Sequence, residues 1–140
     1  AFTGVERSTI GAIAKILAST PEAYGAEALA RLFATHPGAK SYFDYADYSA
    51  AGAKVQLHGG KVIRAVVSAA EHDDDLHAHL MVLAVTHGKK LLVDPSNFPM
   101  LSECILVTLA THLAEFSPAT HCAVDKLLSA ISSELSSKYR

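Results

Sequence analysis

Thr20-Pro21, Asp94-Pro95 and Ser117-Pro118 each place a capping side chain directly before a proline, and an apolar stretch follows each pair. The side-chain oxygen can satisfy free amides in a helix's first turn, and proline suits the first helical position because no donor is needed there. Thr3-Gly4-Val5-Glu6 adds a capping box ahead of Ile10, Ile13 and Leu17. Junctions of this kind divide a chain into helices. The hairpin dipeptides Asn-Gly and Asp-Gly are absent, and apolar residues recur at a period near 3.6 rather than 2.

The spacing predicts a first helix to about residue 18 and a second, with Ala26, Leu29, Leu32 and Phe33 facing inward, ending before Pro37. The stretch "SYFDYADYSAAG" crowds Tyr42, Phe43, Tyr45 and Tyr48 into a short turn and a loop, and a loop with so many rings is expected to lie against something. Val55, His58, Val62, Ala65 and Ala69 mark a long helix over about 52–71, broken by Asp73, Asp74 and Asp75. Leu76, Leu80, Leu83, His87 and Leu91 continue the rule as one inward stripe of a shorter helix, which Gly88 and the lysines after it should stop. The next helix should start at Asp94-Pro95 and reach about 112. The last, from Ser117-Pro118 to about 136, turns Val124, Leu127, Leu128, Ile131 and Leu135 inward. An all-α single domain over residues 1–140 is expected, without repeats.

Half of the 140 residues (50%) are hydrophobic, enough for one substantial core and too many for a disordered linker. No apolar run approaches the roughly 18 residues of a membrane span, and the N-terminus, which starts at Ala1 as a processed chain would, lacks a signal core. A formal net charge of −2 without a basic stripe argues against nucleic acid or a membrane surface as partner. Cys104 and Cys122 make neither a disulfide framework nor a C-x-x-C metal motif, which fits a reducing interior.

The chain holds eight histidines, so most need an ordinary explanation. His72, His77 and His79 beside the aspartate run should be solvated, and His36, His112 and His121 border helix ends. His58 and His87 differ, because each replaces an apolar residue within its helix's stripe. A buried imidazole satisfied by a backbone carbonyl accounts for many such cases. Two stripes with one histidine each also allow a flat ligand between the helices, one ring binding a metal and the other facing it. Zinc fits poorly, since no carboxylate or thiol accompanies either histidine at ligand spacing. Haem iron needs only one or two protein ligands. Phe43 and Phe98 could stack on a porphyrin, and Val62, Leu83, Leu91, Val93 and Leu101 could exclude water from its edges.

The segments "EAYGAEALARLF", "LHGGKV", "LLVDPSNF", "LVTLATHLAEF" and "SKYR" resemble the globin family, in order and spacing, along nearly the whole chain. The resemblance implies a globin fold of about seven helices wrapped around a haem pocket. It assigns haem b as cofactor, His87 as proximal iron ligand, His58 as distal hydrogen-bond donor to O2, and Val62 as neighbour of the gas. Phe43 would wedge against the porphyrin, with Tyr42, Tyr45, Lys61, Leu83, Leu91 and Val93 around it. Asn97, Phe98, Leu101 and Leu135 would complete the wall.

The implied function is reversible oxygen binding and transport in red-cell cytoplasm, with CO as a second ligand and no enzymatic turnover. Partners would be globin chains of a second kind in an α2β2 tetramer. Arg31, Cys104, Val107, Phe116, Pro118 and His121 are implied at the firmer contact, and Tyr42, Asp94, Pro95, Asn97, Tyr139 and Arg140 at the sliding one. Lys40, Asp125 and Arg140 would form its ion pairs. Gly38 and Ser41 replace threonines of the family's first switch turn, and Tyr45 stands where mammalian members usually carry a histidine near a haem propionate. Two alternatives stay open. A haem enzyme of the peroxidase or nitric oxide dioxygenase kind would usually add a distal arginine, and Arg64 lies on another face from His58. A sensor or electron carrier would use both histidines as iron ligands.

Overall fold

The computed structural model describes residues 2–91 and 93–139, so Arg140, expected in an ion pair, lies outside them. Thr3 opens α1 (Gly4–Ser19): its hydroxyl accepts from the Glu6 amide at 3.1 Å while the Glu6 carboxylate accepts from the Thr3 amide at 2.8 Å. α2 (Pro21–Thr35) follows at once, but the expected cap hydroxyl is not used. Thr20 makes no capping bond, and Ser19 donates backward to the Ile16 carbonyl at 2.6 Å, so proline alone marks this start.

After a 3-10 turn (Pro37–Tyr42) come α3 (Ala53–Glu71) and α4 (Leu76–Val85), which runs on as a π turn (Thr86–Lys90). α5 (Asn97–His112) and α6 (Pro118–Ser136) complete the chain. With the π turn counted as the end of α4, seven helical segments and no strand occur among the described residues, an all-α globin-like architecture. No helix there is long and apolar enough to cross a membrane.

Two expected boundaries shift, each for a local reason. Asp94 does not start α5. Its carboxylate accepts from the Ser96 amide at 2.9 Å and its carbonyl takes the Asn97 amide at 3.0 Å, closing a turn that delays the helix to Asn97. Gly88 does not stop α4. The Leu91 amide reaches the Thr86 carbonyl at 3.0 Å, a five-residue step that carries the helix through the glycine. Gly88 is needed for contact instead, because a Cβ there would lie 2.5 Å from the carbonyl carbon and oxygen of Lys138. Ser117, by contrast, caps α6 as expected, accepting from the Thr120 amide at 3.1 Å.

Phe33, Leu29, Val55, Ile63, Leu80 and Leu109 are fully buried and lie at the centre of the core. α2 and α3 approach so closely that a Cβ on Gly59 would overlap the backbone nitrogen of Ala26, and one on Gly25 the carbonyl of Gly59. Overpacking a core typically costs about 1–3 kcal/mol. Gly59→Ala should therefore lower the melting midpoint by roughly 3–12 °C for a domain of this size. Thermal melts followed by circular dichroism check this, and an unchanged midpoint would contradict direct backbone contact.

The helices that carry His58 and His87 each have two adjacent apolar faces, where one stripe was expected. On α3, Val55, Ile63, Val66 and Ala69 enter the core, while His58, Val62 and Ala65 sit half-buried on the neighbouring face. On α4, Leu76, Leu80 and Ala84 are buried. Leu83 and Leu91 keep 37% and 56% of their surface exposed, on either side of half-buried His87, so they are not core residues as the single stripe implied.

The histidines of the acidic corner are partnered rather than merely solvated. His72 and His79 stack with centroids 4.0 Å apart, one bonded to the Ser68 carbonyl and the other to its hydroxyl. His77 meets Glu134 at 2.9 Å, tying α4 to α6. Between α2 and α5, Glu27 takes His112 at 2.6 Å and also Arg31, whose guanidinium bonds buried Thr108 at 2.8 Å. Burial opposes charge on Glu27, but the bonds from His112 and Arg31 outweigh it and hold its carboxyl below the usual range.

Candidate functional site

His87 lies in the first residues of the π turn, one step beyond α4. Its Nδ1 is 2.8 Å from the Leu83 carbonyl. A carbonyl can only accept, so Nδ1 carries the proton and Nε2 keeps a free lone pair. From α5, Phe98 meets the ring edge-on at 5.6 Å, which restricts its rotation. The Val93 amide bonds the His87 carbonyl at 3.0 Å, so the corner leading to α5 hangs from the histidine's own backbone.

His58 projects from α3. Phe43 sits 5.0 Å from its centroid, and the Tyr45 hydroxyl lies 3.1 Å from Nδ1. Burial pushes its pKa below the ordinary histidine value, with the positive neighbours His87 and Lys61 adding to the effect, so the ring is neutral at neutral pH. That influence also brings the two imidazoles into one electrostatic environment. Tyr45 shifts the other way, since burial disfavours its phenolate and keeps its proton in place.

The loop that carries Tyr45 lacks helical periodicity because its order comes from rings. Phe33, at the centre of the core, meets Phe43 at 5.5 Å and Tyr48 at 5.1 Å, both edge-on. Phe43 stacks on Tyr45 at 5.3 Å, and the Tyr48 hydroxyl donates to the Phe43 carbonyl at 2.6 Å. The expectation that this loop lies against something holds, and what it packs on is Phe33.

The remaining expected residues divide by place. Val62, Leu101 and Leu135 are half-buried and pack on the core from its rim. Leu83 and Leu91 flank His87, and half-buried Val93 follows in the corner. Lys61 is exposed on α3, beyond His58. Tyr42 and Asn97 are committed to the corner: the Tyr42 hydroxyl accepts from the Asp94 amide at 3.0 Å and the Asn97 side-chain amide donates to the Asp94 carbonyl at 2.9 Å. Tyr45 touches His58 directly. Two residues escaped sequence reasoning, Gly59 and Gly88. Each directly follows one of the two histidines and lets another backbone approach, so the repeated His-Gly pair was the available signal.

The donor set is one imidazole with a free Nε2, one neutral imidazole and walls of leucine, valine and phenylalanine. Among the described residues, no three His, Cys, Asp or Glu side chains are grouped to hold a metal ion. Exposed leucines beside a histidine are unfavourable unless an apolar group covers them. A porphyrin, which brings four donors of its own and an apolar face, fits these residues. Helices arranged in this way around two such histidines define a haem-pocket protein of the all-α class.

Residues 26–135 match the Globin family model. The chain is 80% identical, over all of its 140 residues and 99% of the relative, to haemoglobin subunit alpha of Mustelus griseus. It is 51% identical to haemoglobin subunit alpha of Heterodontus portusjacksoni, over 99% of this chain and 95% of that one. The solved deoxy form of Mustelus griseus haemoglobin superposes with a TM-score of 0.98 at 80% identity, both chains fully covered. The deoxy form of Dasyatis akajei haemoglobin gives 0.97 at 45% identity, again with full coverage of both. The chain belongs to the globin family.

Proposed function

We propose that the chain, acting over residues 1–140 as one domain, binds haem b and carries oxygen reversibly as the α subunit of a haemoglobin tetramer, α2β2, in the red-cell cytoplasm. The observation that carries this reading is His87: its Nδ1 is held by the Leu83 carbonyl at 2.8 Å, which leaves Nε2 as a single metal donor between exposed leucines. Haem, when bound, supplies ferrous iron with an open position for O2 or CO.

His87 Nε2 would hold the iron, and the bond at Nδ1 raises its basicity and fixes its ring plane. His58, neutral through burial, offers an N–H to a polar diatomic ligand. Leu83, Leu91, Val62 and Phe98 exclude water, which protects the ferrous state. The Val93 amide on the His87 carbonyl and the Asp94 amide on the Tyr42 hydroxyl, at 3.0 Å each, link the histidine to an exposed corner. Movement of His87 would reach any β chain seated there. Asp94, Pro95 and Tyr42 would face the β chain across the sliding contact, and Val107, Phe116 and His121 would form the firmer one.

Absorption spectra and oxygen-binding curves test the reading. The ferrous protein should give a five-coordinate spectrum that converts with CO, and with β chains it should bind oxygen with a Hill coefficient above one. Gly38 and Ser41 should alter that coefficient without abolishing it. A six-coordinate, two-histidine ferrous spectrum would favour the sensor alternative, sustained peroxide turnover would favour the enzyme, and absence of a haem band would overturn all three.

A further inference from the structure

We infer that Tyr45 is a positioning residue that holds the proton of His58 on Nε2 and fixes the ring's orientation. This rests on the reading of His58 as the donor facing the oxygen ligand.

The Tyr45 hydroxyl and His58 Nδ1 are 3.1 Å apart, so one hydrogen lies between them. Two arrangements are possible. If Nδ1–H donated to the phenol oxygen, the phenol's own hydrogen would need a second acceptor, and among the described residues the Tyr45 hydroxyl has no hydrogen bond other than this one. If the phenol donates, its hydrogen is satisfied and Nδ1 uses its lone pair. The neutral ring then has a single place left for its proton, Nε2, on the edge directed away from Tyr45. Burial disfavours both the phenolate and the imidazolium, so neither partner leaves this arrangement by changing charge near neutral pH.

The donor is itself held in place. Tyr45 stacks on Phe43 at 5.3 Å, meets Phe33 edge-on at 6.2 Å and leans on Tyr48 at 5.4 Å, and its own amide donates to the Tyr48 hydroxyl at 3.3 Å. Phe43, the same ring that supports Tyr45, also lies 5.0 Å from His58. The imidazole is therefore fixed at one edge by a hydroxyl and along its side by a phenyl ring, both anchored to the buried Phe33. This gives the aromatic loop a task that packing alone does not require.

The test is the 15N spectrum of the imidazoles in the ferrous CO form of the holoprotein. In the wild type, His58 Nδ1 should resonate as a bare, pyridine-like nitrogen and Nε2 as a protonated one. Tyr45→Phe keeps the ring stack and removes only the hydroxyl, so the two resonances should move toward each other as the tautomers exchange. Loss of one neutral hydrogen bond corresponds to about a two- to tenfold change, and oxygen dissociation should accelerate by that factor. Unchanged nitrogen shifts in Tyr45→Phe would overturn the assignment. If that variant folds poorly, the wild-type spectrum still decides, since a proton on Nδ1 excludes a donating phenol. Absence of the haem band from the wild-type chain would overturn the carrier reading and this inference with it.

Discussion

Replacing His87 by glycine should yield a folded chain that is purified nearly free of haem and recovers it when millimolar imidazole is added. Losing the outer partner of a metal-binding histidine typically costs about ten- to hundredfold in metal affinity, and losing the ligand itself should cost at least the upper figure. Phe98, Leu83 and Leu91 remain to embrace the porphyrin, so the space vacated by the imidazole is ready for the free base. Glycine in a helix costs about 1 kcal/mol relative to alanine, small enough for the rest of the domain to remain folded. Haem titration by absorbance, with and without imidazole, measures the effect. If His87→Gly retains haem as the parent does, the iron is held elsewhere and His87 is simply a packed ring.

A second large effect should follow at His58. His58→Leu removes the N–H and keeps an apolar side chain of comparable size on the half-buried face of α3. A hydrogen bond to a charged or strongly polarised acceptor contributes about 1.5–3 kcal/mol. Oxygen affinity should fall by roughly ten- to hundredfold, through faster dissociation. CO, which is less polarised, should lose much less. Stopped-flow dissociation rates for both gases separate the causes: equal changes would mean that His58 acts by shape, whereas a selective loss of oxygen shows that it acts by its proton.

Much of this architecture was legible before any coordinates, because Thr3 and Ser117 are strong local start signals and His58 and His87 interrupt otherwise apolar patterns. The failures have physical causes. A period of 3.6 identifies an apolar face but does not separate two faces that adjoin, and α4 is apolar nearly all round, so Leu83 and Leu91 were grouped with Leu76 and Leu80. Asp94 could serve a helix or a turn equally well, and only the bond to the Ser96 amide decides. Gly25 and Gly59 meet only when two helices cross, which no local pattern records. Tyr45 and His58 are thirteen positions apart, joined by a loop whose order comes from Phe33. The site's two histidines could thus be read from the chain, while the group that orients one of them could not.

The five-residue π turn Thr86–Lys90 bears on how such a chain can change length. A π turn holds about one residue more than an α-helix would over a single turn, so it behaves as an insertion absorbed without a loop. Deleting any one residue between 86 and 90 would restore ordinary helical bonding and swing all that follows by about 100° around the axis. Val93, which hangs from the His87 carbonyl, and Phe98, which braces the ring, would both leave their places. Gaps in an alignment of functional relatives should therefore fall in the stretch between α5 and α6 or near the aromatic loop, and be avoided between His87 and Phe98.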